Sequence, residues 1–393
     1  MSLLGLHRTF ARPLPSVFRE LGLPPYRRLV YQLDTHVLTR GKHSTPQPRQ
    51  PSRKATPPRP VRGHDAALPR VTGAIPQVNK LNNPGQQRRN NDPKVYFPTE
   101  PPPKEEAEEE EELPRVRVRF LRPIVWSIGA SSCIYLLLSY LQAKSELKAV
   151  TRQPYIPQIP QRFDRSPPGP IELATRIWSQ QQPVDKVAVG LIGANAVAHL
   201  GSFLAPRFWL LLWHTPAMNL NFTLFTSTFV HEGPMHLLFN MWACFNFLPS
   251  TGKSPLFEGN AHHTLAFFLT TGILSGLTEH LTLLFKKSPR LPFVRSGGAS
   301  GALFALLGVF CTQYPDAKLK VILLPFQFDA MNFLYGIMLF DFYGMIRGFK
   351  FINLGHAAHL SGAFIGIGYS WLDGKNAIWN PLVRFWKRRL QSA

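Results

Sequence analysis

Three polar clusters, each set beside or within a long apolar run, carry groups that could do chemistry. Ser300 lies in RSGGASGALFALLG, with Gly298 and Gly301 close on either side. Small neighbours let another backbone approach the hydroxyl. A helix starting at Ser300 would add free backbone N–H groups and a dipole favouring a developing anion. The segment is not the G-x-S-x-G elbow of soluble hydrolases, because position 302 is Ala. His359 lies in GHAAHLSGAFIG, followed by Gly362 and Gly366 on one helix face. A serine beside a histidine is the minimum for an activated nucleophile. His356 lies one turn earlier, and position alone leaves both histidines open as the base. The third cluster is His236 and Asn240 in FVHEGPMHLLFNMW, four residues apart and so on one helix face. Both can donate hydrogen bonds.

Each cluster also has a plainer reading. His236 and Asn240 could be a helix–helix hydrogen-bonding pair, and Gly301 with Ala305 a small-residue packing face. Ionisable groups inside hydrocarbon nevertheless mark sites or internal pairs by default. Asp341, in MLFDFYG, reads as a buried helix–helix partner.

The elements that position these residues follow from the apolar runs. Of 393 residues, 45% are hydrophobic and 17% charged, and nearly all long apolar runs lie after residue 120. A first segment, 120–141, is long enough for a hydrocarbon layer of roughly 30 Å. After a polar linker, six more follow near 186–204, 235–250, 264–285, 299–314, 329–346 and 354–372. Segment 206–234 reads as an aromatic loop at the membrane interface. Residues 319–328 read as a stretch that dips in without crossing. The fold expected is an all-α polytopic membrane protein. Helices alternate in direction, so His236, Ser300 and His359, opening the second, fourth and sixth core helices, should share one membrane face.

The net charge of +21 is drawn largely from the first hundred residues and from clusters flanking apolar segments, such as Arg115–Arg122 and Lys387–Arg389. That distribution fits membrane flanks and a targeting leader better than nucleic acid. Residues 1–40, rich in Arg and Leu, suit a mitochondrial presequence. Residues 41–118 are Pro- and Arg-rich with an acidic run at 105–112, a composition expected to be disordered. Residues 119–142 hold the extra helix, 143–185 the linker, 186–373 the core and 374–393 a basic tail. The three cysteines, Cys133, Cys244 and Cys311, are widely spaced in apolar segments and expected to pack, not to bind zinc or form disulfides.

Together the motifs resemble the rhomboid family of intramembrane proteases over about 186–372. His-x-x-x-Asn is His236–Asn240, Gly-x-Ser-Gly is 298–301, and Ala-His-x-x-Gly-x-x-x-Gly is 358–366. The resemblance selects His359 over His356. The leader, the additional first helix and the segments LLPFQFDAMNFLYGIMLFDFYGMI and KFINLGHAAHL resemble the mitochondrial branch, the presenilin-associated rhomboid-like proteases and fungal relatives. This implies a six-helix core plus one N-terminal helix (1+6). It also implies a Ser300–His359 dyad with no third carboxylate, and oxyanion donors from Ser300, His236 and Asn240. No cofactor or metal is expected. The partners implied are single-span membrane proteins and the bilayer; the resemblance leaves the oligomeric state open. The expected location is the mitochondrial inner membrane, with the N-terminus in the matrix. The rivals are a silent member of the same fold that escorts membrane proteins, and a transporter.

Overall fold

The computed structural model describes residues 116–151, 169–286, 288–320, 325–349 and 354–392. The leader and the acidic run lie outside the described residues. The helices are α1 (Leu121–Thr151), α2 (Pro170–Gln180), α3 (Pro183–Leu204), α4 (Pro206–Leu210), α5 (Thr223–Thr226) and α6 (Gly233–Gly252). Then come α7 (Ala261–Leu281), α8 (Ser300–Gln313), α9 (Ala330–Arg347), α10 (His356–Trp371) and α11 (Asn380–Gln391). Strands β1 (Lys318–Lys320) and β2 (Gln327–Asp329) pair antiparallel, Lys318 opposite Asp329, where the sequence pointed to an apolar dip.

Local signals explain the ends. Proline occupies the first turn of α2, α3, α4, α6 and α11, where its missing N–H costs nothing. The Asn260 side chain caps α7 by accepting the His263 N–H at 3.0 Å. Helix α1 runs ten residues past the expected span. Its extension, rich in Gln, Ala, Lys and Glu, favours helix, and Gln142 donates to Glu146 across one turn at 2.7 Å.

Among the described residues, three segments are long and apolar enough to cross a bilayer: Leu121–Val150, Pro183–Leu204 and Ala261–Leu284. Large apolar side chains point outward, among them Val197, Phe203, Leu238, Phe245, Leu339 and Phe364. The interior, built on an apolar core, also encloses Asn195, Thr271, Ser275, Asp341, His356 and His359. Apolar side chains on the outside and polar ones enclosed suit a protein solvated by lipid, where polar groups need partners inside the protein.

Helix α8 is largely enclosed, with Ala302, Ala305, Leu306 and Val309 wholly buried. It lies against α10 through the glycines that the sequence picked out. A Cβ at Gly362 would collide with the Gly301 carbonyl, and one at Gly366 with that of Ala305. At the far end of the bundle, α11 packs Val383, Trp386 and Leu390 against α1, so the basic tail is in part an amphipathic helix docked on the body.

Candidate active site

Segment 206–229 is not only a loop at an interface. It folds into short helical turns that bury Leu210, Trp213, Ala217, Met218 and Leu224 and brace the approach to α8. His214 and Ser296 form a β-bridge, with Ser296 N donating to His214 O at 2.8 Å and His214 N to Ser296 O at 3.1 Å. Gly298 N donates to Ser227 O at 2.8 Å. Ala299 N donates to His231 Nε2 at 3.3 Å. Burial first, then the neighbouring His236 and His199, pushes His231 down to about 3, so its ring is neutral and free to accept. His214 contacts His280 at 2.9 Å and Thr223 at 2.8 Å, and burial with His280 beside it drives it down to about 3.

These bonds deliver Ser300 to the first position of α8. Gly298 is required one step before it. Its φ is +133°, and an added Cβ would lie 3.0 Å from the His236 ring. His236 is thereby laid over the G-A-S-G turn. Asn240, one turn on, donates to the His236 carbonyl at 2.9 Å, leaving its second N–H for another acceptor.

The Ser300 hydroxyl and His359 Nε2 are 2.8 Å apart. His359 lies flat on Phe304, with ring centroids 4.2 Å apart and planes 7° from parallel. Its other nitrogen, Nδ1, is 3.1 Å from Asp341 Oδ1, and the same oxygen receives His356 Nδ1 at 2.6 Å. A carboxylate oxygen can only accept here, so both rings present Nδ1–H to it, and His359 Nε2 is left to accept the Ser300 proton. Where the sequence left the two histidines open, the geometry puts His359 on the serine and His356 behind it. Asp341 does link α9 to α10, as expected of a helix–helix partner, but the link ends on the histidine that faces the serine.

The ligand atoms of Asp341, His356 and His359 lie within 4.8 Å of one another. Their 2.6 and 3.1 Å nitrogen-to-oxygen spacings are those of direct N–H···O bonds, which spend the Nδ1 atoms and Oδ1 on one another. Among the described residues Cys133, Cys244 and Cys311 are unpaired thiols.

A cavity of about 640 Å³ opens over Ser300 and His359. His236, Asn240, Ser275 and Glu279 also line it. Glu279, near the end of α7, accepts the Ala358 N–H at 3.1 Å and so caps the first turn of α10. The Ser275 hydroxyl is buried beside Gly301 and has no protein partner.

Residues 220–376 match the sequence profile of the Rhomboid domain. The chain carries a rhomboid domain. It is 27% identical over 316 residues to presenilin-associated rhomboid-like protein A, mitochondrial, of Danio rerio, covering 70% of this chain and 76% of that protein. It is 31% identical over 228 residues to presenilin-associated rhomboid-like protein, mitochondrial, of Rattus norvegicus, covering 53% and 55%. It is 28% identical over 209 residues to Rhomboid protein 1, mitochondrial, of Saccharomyces cerevisiae, covering 52% and 56%. The chain therefore spans about half the length of the rat and yeast relatives. With its three bilayer-length apolar segments, this similarity makes it a mitochondrial membrane protein.

Inside the rhomboid domain, the described site brings Ser300, His359, His236, Asn240, Gly298 and Gly301 round one cavity, while Gly362 and Gly366 lie on the seam between α8 and α10. It adds His231, Ser275 and Phe304, which sequence reasoning passed over, and Glu279, which in the sequence stands as an isolated acidic residue. Phe304 had a visible signal, since it lies one helical turn after Ser300. His231 had none, because five residues to His236 is no helical repeat.

Proposed function

We propose that this chain is an intramembrane serine endopeptidase that cleaves single-span membrane proteins within or near their spanning segments. The observation that carries the reading is the 2.8 Å approach of the Ser300 hydroxyl to His359 Nε2 in a cavity sunk among apolar helices. A peptide bond is cut there in two stages. Ser300 Oγ attacks the scissile carbonyl as His359 Nε2 takes its proton; His359 then returns that proton to the leaving amine. Water, activated by the same imidazole, hydrolyses the resulting ester.

The tetrahedral oxyanion needs donors aimed at where its charge develops. The backbone N–H of Ser300, unspent at the first position of α8, the His236 ring and the free N–H of Asn240 border the same cavity and suit that task. No cofactor enters this chemistry. An intact substrate helix shields its carbonyls, so the substrate must unwind locally before attack.

The 1+6 arrangement belongs to this reading. Helices α3, α6, α7, α8, α9 and α10 form the core and α1 the extra span. The start of α1 lies at the site end, where Arg119 N donates to Asn219 Oδ1 at 3.1 Å. With the N-terminus in the matrix and the chain in the inner membrane, the cavity opens to the matrix. Protease protection of a tag at the N-terminus tests that orientation; digestion in mitoplasts with the inner membrane sealed would reverse it.

The activity is tested with purified protein in liposomes and a single-span reporter, comparing wild type, Ser300→Ala and His359→Ala. Cleavage by wild type alone is expected. Cleavage that persists in Ser300→Ala would remove Ser300 as nucleophile.

A further inference from the structure

Among the described residues, Asp341 is the one carboxylate bonded to the imidazole that faces Ser300, and an expected dyad gives it no work. It is 1% exposed, on α9, in the interior of a protein whose outer faces are apolar. A carboxylate in such a place is costly, and a neutral Asn or Ser could tie two helices together with less desolvation. Its bonds are also unusual in their distribution. One oxygen receives two imidazole N–H groups, from His356 at 2.6 Å and His359 at 3.1 Å, while Oδ2 has no protein partner.

Resting on the protease reading, we propose that Asp341 is a positioning residue for His359, with His356 holding the carboxylate in place. Three features carry this. First, the Nδ1–H···Oδ1 bond fixes the tautomer of His359 that leaves Nε2 free to take the Ser300 proton, the orienting role a buried aspartate plays in soluble serine proteases. Second, the carboxylate lies next to the imidazolium that forms when that proton moves. Third, His356 has little freedom to do anything else. Its ring lies against Gly344, where an added Cβ would come within 2.5 Å of it, and beside Phe340 and Phe349. Clamped there, it holds Asp341 Oδ1 within reach of His359. The longer 3.1 Å bond is the one that shortens as His359 gains charge, since hydrogen bonds to ionised groups are the shorter ones.

A mere helix tether predicts something different. Asn at position 341 keeps an oxygen that accepts both N–H groups but removes the charge, so a tether survives and an orienting carboxylate does not. The measurement is the rate at which a fluorophosphonate probe labels Ser300 in the full-length protein in detergent, beside kcat and KM on the reporter and a thermal melt. For Asp341→Asn the expected result is a melting temperature close to wild type, labelling and kcat lowered roughly 100-fold or more, and KM within about threefold. Loss of a triad aspartate costs on the order of 10,000-fold in soluble enzymes. Labelling within about threefold of wild type in folded Asp341→Asn would overturn the proposal while leaving the protease reading intact. No labelling of wild type would overturn both. Should Asp341→Asn not fold, His356→Ala carries the test. Releasing the carboxylate is then expected to slow labelling roughly tenfold at unchanged KM, and unchanged labelling in folded His356→Ala would overturn the proposal.

Discussion

The two ends of the helix bundle handle buried polarity differently. At the end away from the serine, most polar side chains close on one another, although the Ser254 hydroxyl and Trp386 Nε1 have no protein partner. Gln142 Oε1 takes both Asn260 Nδ2 at 2.6 Å and Trp379 Nε1 at 2.7 Å. His263 Nε2 meets the Tyr369 hydroxyl at 2.7 Å, and its ring stacks on Trp379 at 4.6 Å. These contacts join α1, α7, α10 and the turn before α11. At the serine end, capacity is left over. One N–H of Asn240, the Ser275 hydroxyl and Asp341 Oδ2 have no protein partner, and the first two face or border the cavity. Buried polar groups are normally satisfied, so unspent donors gathered round a cavity fit a site that waits for a substrate, and spent ones fit a fastening.

If that contrast is sound, cutting into each end should do different kinds of damage. The largest effect is expected on catalysis. His236→Ala removes a donor poised over the serine and should lower kcat by about 100- to 1,000-fold with the melting temperature nearly unchanged. Next comes the seam that both ends share. Gly362→Ala drives a methyl into the Gly301 carbonyl, and overpacking of this kind costs about 1–3 kcal/mol. Thermal unfolding in detergent should register it, with activity falling because α8 and α10 no longer present Ser300 and His359 to each other. An unchanged melt would mean the helices part easily, and the close approach would lose its meaning.

Much of the serine end was legible in sequence. His359, His236 and Asn240 each lie at helical spacing from a glycine or polar partner within a single segment, Ser300 lies between two close glycines, and such local patterns survive without the fold. The starts of α8, α9 and α10 fell within two residues of expectation for the same reason. What stayed hidden depends on how helices rotate against one another. Asp341 and His359 are eighteen residues apart on different helices, and no pattern says which faces meet. The amphipathic helices α2 and α11 were hidden differently. Their polar halves matched the composition of a linker and a tail, although Pro170 and Glu172 in the first turn of α2 are start signals. The pairing of β1 with β2 was missed because the apolar run there resembles a membrane segment.

The serine end should also be the more sensitive to acid. His214, outside the spanning helices, bonds to Thr223 and to His280 of α7, which in turn contacts the Arg119 carbonyl at 2.9 Å. The folded protein holds His214 down at about 3, against 6.5 in an unfolded chain. The unfolded state therefore binds a proton first as pH falls. The stability from neutral His214 is complete above about pH 6.5 and is lost on acidification towards 3, up to about 2 kcal/mol by pH 5. Melting temperatures of wild type and His214→Gln should converge as pH drops from 7 to 5. Parallel curves would put the acid sensitivity elsewhere.

The smallest effect belongs to the opposite end and tests whether it is only a fastening. Gln142→Ala leaves Asn260 and Trp379 without their shared acceptor, for a loss of about 1–2 kcal/mol from buried hydrogen bonds. The melt should drop by a few degrees while kcat and KM per folded molecule stay as in wild type. The reason is geometric. Gln142 reaches the cap of α7 and the turn before α11, at the end away from the site, whereas Ser300 is set by bonds to His214, Ser227 and His231, none of which passes through Gln142. A change in kcat would mean that the fastening sets the tilt of α7, and through Glu279 the start of α10 and the place of His359. The two ends would then be one device, and the contrast between them a matter of degree.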